Sequence, residues 1–227
     1  MDRPRLADTS VMTDHPSIGL GVEYGSSAGA REAVTRVIED SLAGRKGCGI
    51  LKSAWIETPL GPLLAVAEPN SLHLLKFFDG KGVLKQLKRL QEWTQSSIEF
   101  GRSAPIDSIE KELCDYFSGR SVEFKTPIAC CGSVFAQKVW DELKAIPPGT
   151  TRSYSEIAQD VKQPSGTRAV GRANGANPIV IVVPCHRVIG SDGSITGYGG
   201  GVWRKRWLLE HERQMMARLK PETMDMT

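Results

Sequence analysis

The sequence predicts an α/β N-terminal domain built on an antiparallel sheet, followed by a mainly helical C-terminal domain that carries a helix-turn-helix. Three observations carry this prediction. From Ser53 to Phe78 strand-forming segments alternate with Gly/Pro/Asn punctuation, and from Val83 apolar residues recur at helical spacing. From Ser133 to Asn174 short helical patterns follow one another around tight turns. A chain of 227 residues has room for two such domains.

Residues 1–52 read as a leader, in which residues 28–43 (AGAREAVTRVIEDSLA) are expected to form one isolated helix before a Gly-rich link, GRKGCG. The first domain spans 53–131. AWIET, the turn PLGP, LLAVAE, the turn PNS and LHLLKFF read as an antiparallel meander. Val83–Trp93 and Ile106–Phe117 follow as helices; Ile106, Ile109, Leu113 and Phe117 form a buried stripe and place Cys114 beside it, as a core thiol.

The second domain spans 132–213, with 214–227 as a tail. Ser133 is placed to cap a helix whose apolar face is Phe135, Val139, Trp140 and Leu143, and Ile146-Pro147-Pro148-Gly149 ends it. Ser153-Tyr154-Ser155-Glu156 is a capping box, followed by Ile157, Ala158 and Val161. After the turn Gln163-Pro164-Ser165-Gly166, a short helix from about Thr167 to Asn174 carries Arg168 and Arg172. Its small residues Ala169, Gly171 and Ala173 are expected to allow close packing, and the pair of helices suggests a helix-turn-helix with this one in the recognition position.

Composition excludes several classes. The chain is 40% hydrophobic and 24% charged, and its longest strongly apolar run, Ile179 to Pro184, is far short of a membrane span, so no membrane partner is expected. The N-terminus has no apolar h-region, which points to a cytosolic or nuclear address in which five cysteines stay thiols. Net charge is only +3, yet residues 132–213 carry 11 basic against 7 acidic side chains. The stretch 161–191 holds Lys162, Arg168, Arg172 and Arg187 with no acid, a small phosphate-binding footprint.

The chemistry concentrates where the apolar run IVIVV stops at Pro184-Cys185-His186-Arg187. Setting a thiol, an imidazole and a guanidinium at the end of a buried segment is costly unless they serve a site. Cysteine reacts as thiolate, and His186 with nearby arginines is expected to lower the Cys185 pKa. Adjacent residues rarely face each other, so His186 is expected to act on Cys185 through a water, with a carboxylate orienting the ring. Cys130 and Cys131 lack CxxC spacing, and His15, His73 and His211 fall in no ligand pattern near them, so neither a metal site nor any cofactor is expected. Trp203 and Trp207 read as packing.

The segment Ile181 to Gly190 (IVVPCHRVIG) resembles the active-site signature of the O6-alkylguanine-DNA alkyltransferases, the methylated-DNA–protein-cysteine methyltransferases. The similarity extends over roughly Ala54 to Glu212 and includes Phe135, Val139-Trp140, Ile146-Pro147-Pro148-Gly149, Ser153-Tyr154, Arg168-Ala169-Val170-Gly171, Asn177-Pro178, Gly197-Tyr198 and Trp207 to Glu212. It implies a ribonuclease-H-like first domain and a winged-helix-like second one. It also implies single-turnover transfer of an alkyl group from O6-alkylguanine, with O4-alkylthymine as a further candidate, to Cys185. By the same resemblance His186 is the water-mediated base, Glu212 orients His186, and Asn177 braces the turn before the active-site strand. Arg168 intercalates for the flipped guanine, Tyr154 crowds the 3′ phosphate, and Tyr198 lines the guanine pocket and donates to O6. Ser153, Ala169, Gly171 and Arg172 fall on the DNA-binding side, while Val183, Pro184, Gly199 and Gly200 join Tyr198 in the substrate pocket.

The implied partner is double-stranded DNA, bound chiefly through phosphates by a monomer, with cooperative binding open; the address is the nucleoid in a bacterium or the nucleus in a eukaryote. Gly199 stands where some relatives carry a hydroxyl residue, which implies a roomier pocket. Val22 to Ser27 and the helix after it weakly resemble the end of an AraC-type helix-turn-helix, making the leader a candidate remnant. Two rivals remain: a lesion sensor without transfer, which would replace the acceptor cysteine, and a cysteine hydrolase, which gives no reason for a helix-turn-helix.

Overall fold

A computed structural model of the chain describes residues 27–43, 49–78 and 82–219. They divide into two compact units: the described residues up to Leu72 with Phe77–Pro127, and His73–Lys76 with the described residues from Ile128 onward. Among them no helix is long and apolar enough to cross a membrane.

Up to Pro127, α1 (Ser27–Ala43) precedes β1 (Ile50–Ile56), β2 (Leu63–Ala67), β3 (Leu72–Phe77, of which His73–Lys76 group with the second unit), α2 (Val83–Thr94), β4 (Ser97–Phe100) and α3 (Ala104–Phe117). The strands lie in the order β3-β2-β1-β4. β1 and β2 pair antiparallel as the alternating turns predict, but β4 runs parallel to β1, with Ile50 opposite Ser97 and Ser53 opposite Phe100. The sheet is therefore mixed rather than antiparallel. The return through α2 brings the chain to the far edge in the direction of β1, and a four-residue strand carries too little periodicity to announce itself. Every residue of β2 and β3 is buried, consistent with their nearly continuous apolar sequence.

The helix expected in isolation is not isolated. α1 packs against β4 and α2, burying Val34 and Ile38 one turn apart, and the Arg31 guanidinium lies 4.8 Å over the Trp55 ring and 3.6 Å from Glu57. A helix with an apolar i,i+4 pair must cover that pair with something, and here it is the sheet edge. Val22 to Ser26 and Cys48 lie outside the described residues, as does His15. Cys114 is half-buried rather than core, with Arg120 donating toward its sulfur at 3.6 Å.

The second unit contains α4 (Val134–Lys144), β5 (Arg152–Ser153), α5 (Tyr154–Asp160), α6 (Thr167–Gly175), β6 (Val188–Ile189) and α7 (Val202–Leu219), with β5 parallel to β6. Ser133 caps α4 by accepting from the Ala136 amide. Both halves of the Ser153–Glu156 capping box form on α5, and a 3-10 turn at Pro164–Gly166 leads into α6. Helices α4, α5 and α6 pack on one another, and the Trp140 indole N–H donates to the Ala173 carbonyl at 2.9 Å, closing α4 on α6. Of the three small residues in α6, only Ala173 is buried in this contact; a Cβ at Gly171 would meet nothing within 4 Å.

The apolar run after Asn177 is buried but is not a strand. Only Ile179 forms a bridge, parallel to Leu75; Val183 then donates back to Ile179 and Ile181 takes a φ of 73°. An apolar run records burial, and short runs leave conformation undetermined. A left-handed β-branched residue is costly, so the contacts around Ile181 must hold it there.

Candidate active site

The run of turns ends in a single 3-10 turn, Cys185–Arg187, entered from Pro184. All three residues are buried. Asn177 fixes the approach to this turn: its side-chain amide donates to the Val183 carbonyl at 2.7 Å while its Oδ1 accepts from the Ile179 amide at 2.9 Å. One asparagine thereby clamps both ends of the irregular segment. The Asn174 amide, at the end of α6, donates to the Cys185 carbonyl at 3.2 Å and ties the thiol-bearing backbone to that helix.

Glu212 of α7 is the hub beneath the turn. Its Oε1 lies 2.8 Å from His186 Nε2, Arg187 donates to it from Nε at 2.8 Å and Nη2 at 2.9 Å, and the Gly149 amide donates at 3.2 Å. His186 and Glu212 are both wholly buried. A carboxylate sealed from water survives only with its lone pairs filled, and four donors do this here. Arg187 also donates to the Ile146 carbonyl, so the Pro-Pro-Gly turn after α4 and the cysteine turn are held by the same charges. His186 Nδ1 has no hydrogen-bond partner among the described residues and remains able to accept.

Beyond the thiol, the buried Tyr198 hydroxyl has no hydrogen-bond partner among the described residues, and the Gly200 carbonyl accepts from Arg204 at 2.6 Å. Val183 and Pro184 are buried and Gly199 is half-buried. Tyr154, in the first turn of α5, reaches the Gly197 carbonyl at 3.4 Å. The Ser153 hydroxyl is committed to the cap of α5. Arg168 and Arg172 stand one turn apart and exposed on α6, with Ala169 half-buried between them.

Residues 134–214 match the family described as 6-O-methylguanine DNA methyltransferase, DNA binding domain. The methylated-DNA–protein-cysteine methyltransferase of Methanosarcina acetivorans is 41% identical over 159 residues, which are 70% of this chain and 96% of that protein. The chain belongs to the methylated-DNA–protein-cysteine methyltransferase family. The member from Mycobacterium bovis is 43% identical over 158 residues, 70% of this chain and 90% of its own. The crystal structure of Mycobacterium tuberculosis OGT in complex with DNA is 39% identical at a TM-score of 0.62, covering 73% of this chain and 94% of that one.

In this methyltransferase the thiol environment differs from the expected one on three points. Burial pushes the Cys185 thiol up rather than down, opposed by the Asn177 amide and then by Lys76 and Lys205. His186 is not the compensating cation, because burial holds its imidazole below the ordinary value despite Glu212. Nor is Arg187 part of a basic face, since its charge is spent on Glu212. The cations near sulfur are lysines that the sequence pattern did not single out. Lys205 of α7 is fully buried, donates to the carbonyls of Val188 and Thr196 at 2.5 and 2.6 Å, and is lowered to about 8 by burial. Lys76 of β3 is nearly as buried and donates to the Asn177 carbonyl at 3.0 Å. Lys76, inside the largely apolar LHLLKF, was the available signal, whereas Lys205 stands between Arg204 and Arg206 and gave none; a lysine ordinarily snorkels to solvent. Cys131 approaches His73 Nδ1 at 3.9 Å, a proximity that their distance in sequence concealed.

Proposed function

We propose that the chain repairs DNA by direct reversal, moving the alkyl group of O6-alkylguanine to the Cys185 sulfur once per molecule. The observation that carries this reading is a buried cysteine turn backed by His186 and Glu212, in the same unit as a helix that exposes Arg168 and Arg172. The Cys185 thiolate attacks the alkyl carbon; the S–C bond forms as the C–O6 bond breaks, and guanine leaves with the bonding pair. The thiol proton passes through water to the free Nδ1 of His186 and returns to guanine, while the Tyr198 hydroxyl donates to O6. Burial keeps that phenol protonated well above its ordinary pKa, as a donor must be. The product is a thioether, a bond stable enough that the acceptor is spent after one transfer.

The lesion lies inside a duplex, so the base must flip, at a cost of a few kcal/mol. Arg168 fills the vacated stack, Tyr154 presses on the 3′ phosphate, and Arg172 with the Ser153, Ala169 and Gly171 backbone contacts the strand. The α5–turn–α6 unit thus acts as a winged-helix-like helix-turn-helix, and the first domain is of ribonuclease-H-like type, which its antiparallel β1–β2 pair supports. The protein works as a monomer on double-stranded DNA. Val183, Pro184, Tyr198, Gly199 and Gly200 line the pocket, and the absence of a side chain at Gly199 leaves room for groups larger than methyl.

Incubation with a duplex containing O6-methylguanine, followed by peptide mass analysis, tests this. The expected result is one methylene gained on the Cys185 peptide, with at most one lesion repaired per molecule. Continued turnover would indicate a hydrolase, and binding without a mass change would indicate a sensor; either overturns the reading.

A further inference from the structure

Lys76 sits in the middle of β3, 4% exposed, in a strand whose other five residues are also buried. Burying an ammonium among apolar neighbours is costly, and one hydrogen bond to the Asn177 carbonyl does not use its three donors. The backbone around it is bonded to the catalytic segment as well: the Leu75 amide donates to the Pro178 carbonyl, and the Val180 amide donates to the Leu75 carbonyl, both at 2.9 Å. These bonds fix the ammonium against the same asparagine that clamps the cysteine turn. A Cβ at Gly199, the residue after Tyr198, would lie 3.7 Å from Nζ, which sets the charge beside the glycine assigned above to the proposed substrate pocket.

We propose that Lys76 is a positioning residue for alkyl transfer, its ammonium held at the pocket wall by the Asn177 carbonyl so that a fixed positive charge favours the Cys185 thiolate. The reciprocal influence is present in both groups: Lys76 draws the thiol down against burial, and Cys185 holds Lys76 up against burial. The assignment explains how a thiol in a buried turn ionises when its adjacent histidine is neutral and its adjacent arginine is neutralised by Glu212. It rests on the reading of Cys185 as the acceptor. The other titratable groups about the sulfur, Lys205 of α7, Tyr154 of α5, Tyr198 and the His186–Glu212 pair, are untouched by changes at position 76.

The test is the pH dependence of Cys185 alkylation in the full chain, read on its peptide by mass, with iodoacetamide and with free O6-benzylguanine. Lys76→Gln keeps a donor for the Asn177 carbonyl and drops the charge. Its alkylation midpoint should rise by about one pH unit, roughly a tenfold slower reaction at neutral pH, while affinity for unmodified duplex stays that of the parent. Lys76→Arg should bring the midpoint most of the way back. A parental midpoint in Lys76→Gln would overturn the proposal, whatever happens to thermal stability, and so would a Lys76→Arg midpoint no lower than that of Lys76→Gln. If Lys76→Gln does not fold, Lys76→Arg alone decides: a midpoint within a few tenths of the parent supports the role of charge, and one raised by a full unit overturns it. Because iodoacetamide needs no DNA, a failure of O6-benzylguanine transfer in the parent would count against the proposed function and leave the iodoacetamide arm readable.

Discussion

Glu212 satisfies four donors at once, so replacing it has a larger consequence than removing one hydrogen bond. Glu212→Gln leaves the Arg187 guanidinium buried without a counter-charge, and stability should fall by about 3–5 kcal/mol in denaturant unfolding. The same cluster sets the acid response. Burial holds the His186 imidazole below its ordinary value, so on acidification the unfolded chain takes up a proton that the folded chain refuses. Stability is full above about pH 6.5 and declines as pH falls below it. Glu212 is held far below the usual carboxylate range by His186 and Arg187, which outweigh its burial, so its contribution is lost only below about pH 4. A urea midpoint followed from pH 8 to 3 should show both declines in the parent and lose the lower one in Glu212→Gln. The transfer rate should likewise show no break near pH 6.5, because His186 is still neutral there and able to accept a proton.

Helix α6 illustrates a conflict within one element. A glycine in a helix interior costs about 0.5–1 kcal/mol relative to alanine, and Gly171 has open space where its Cβ would stand. Packing therefore does not explain it. Gly171→Ala should stabilise the protein by about 0.5–1 kcal/mol while weakening duplex binding, because in the proposed mode of binding the added methyl would stand between the helix backbone and the strand. Binding unchanged by fluorescence anisotropy would remove Gly171 from the DNA-contacting set. Arg168→Ala on the same helix separates flipping from chemistry. Transfer from free O6-benzylguanine should be within about twofold of the parent, while repair in duplex DNA slows by about tenfold or more, reflecting a flipping cost no longer offset. Equal losses on both substrates would argue against insertion into the stack.

At the scale of the molecule, the leader helix and the first domain share one core. Ile38 is wholly buried against that domain, so Ile38→Ala should cost about 2–5 kcal/mol in the unfolding of the first unit. An unchanged unfolding curve would show that α1 is detached in solution, as a remnant of another domain would be. A strand of the N-terminal half also reaches the chemistry, since His73–Lys76 group with the second unit and carry the ammonium beside Asn177. The DNA-binding family match begins only at residue 134, so the matched segment by itself lacks that charge.

The sequence by itself determined what is local. Ser133 and Ser153 announced their helices because a cap is settled within four residues, and Cys185 stood out because a thiol, an imidazole and a guanidinium end an apolar run. Glu212 entered only by resemblance, since a glutamate on a charged helix reads as solvated, and only the tertiary structure shows it sealed under His186 and Arg187. The direction of β4, the turns at 179–183, the neutralisation of Arg187 and the approach of Lys76 to Asn177 were likewise decided by the fold. Each depends on groups brought together from distant parts of the chain, where desolvation and pairing set the energy, and short-range periodicity carries no record of which partners those will be.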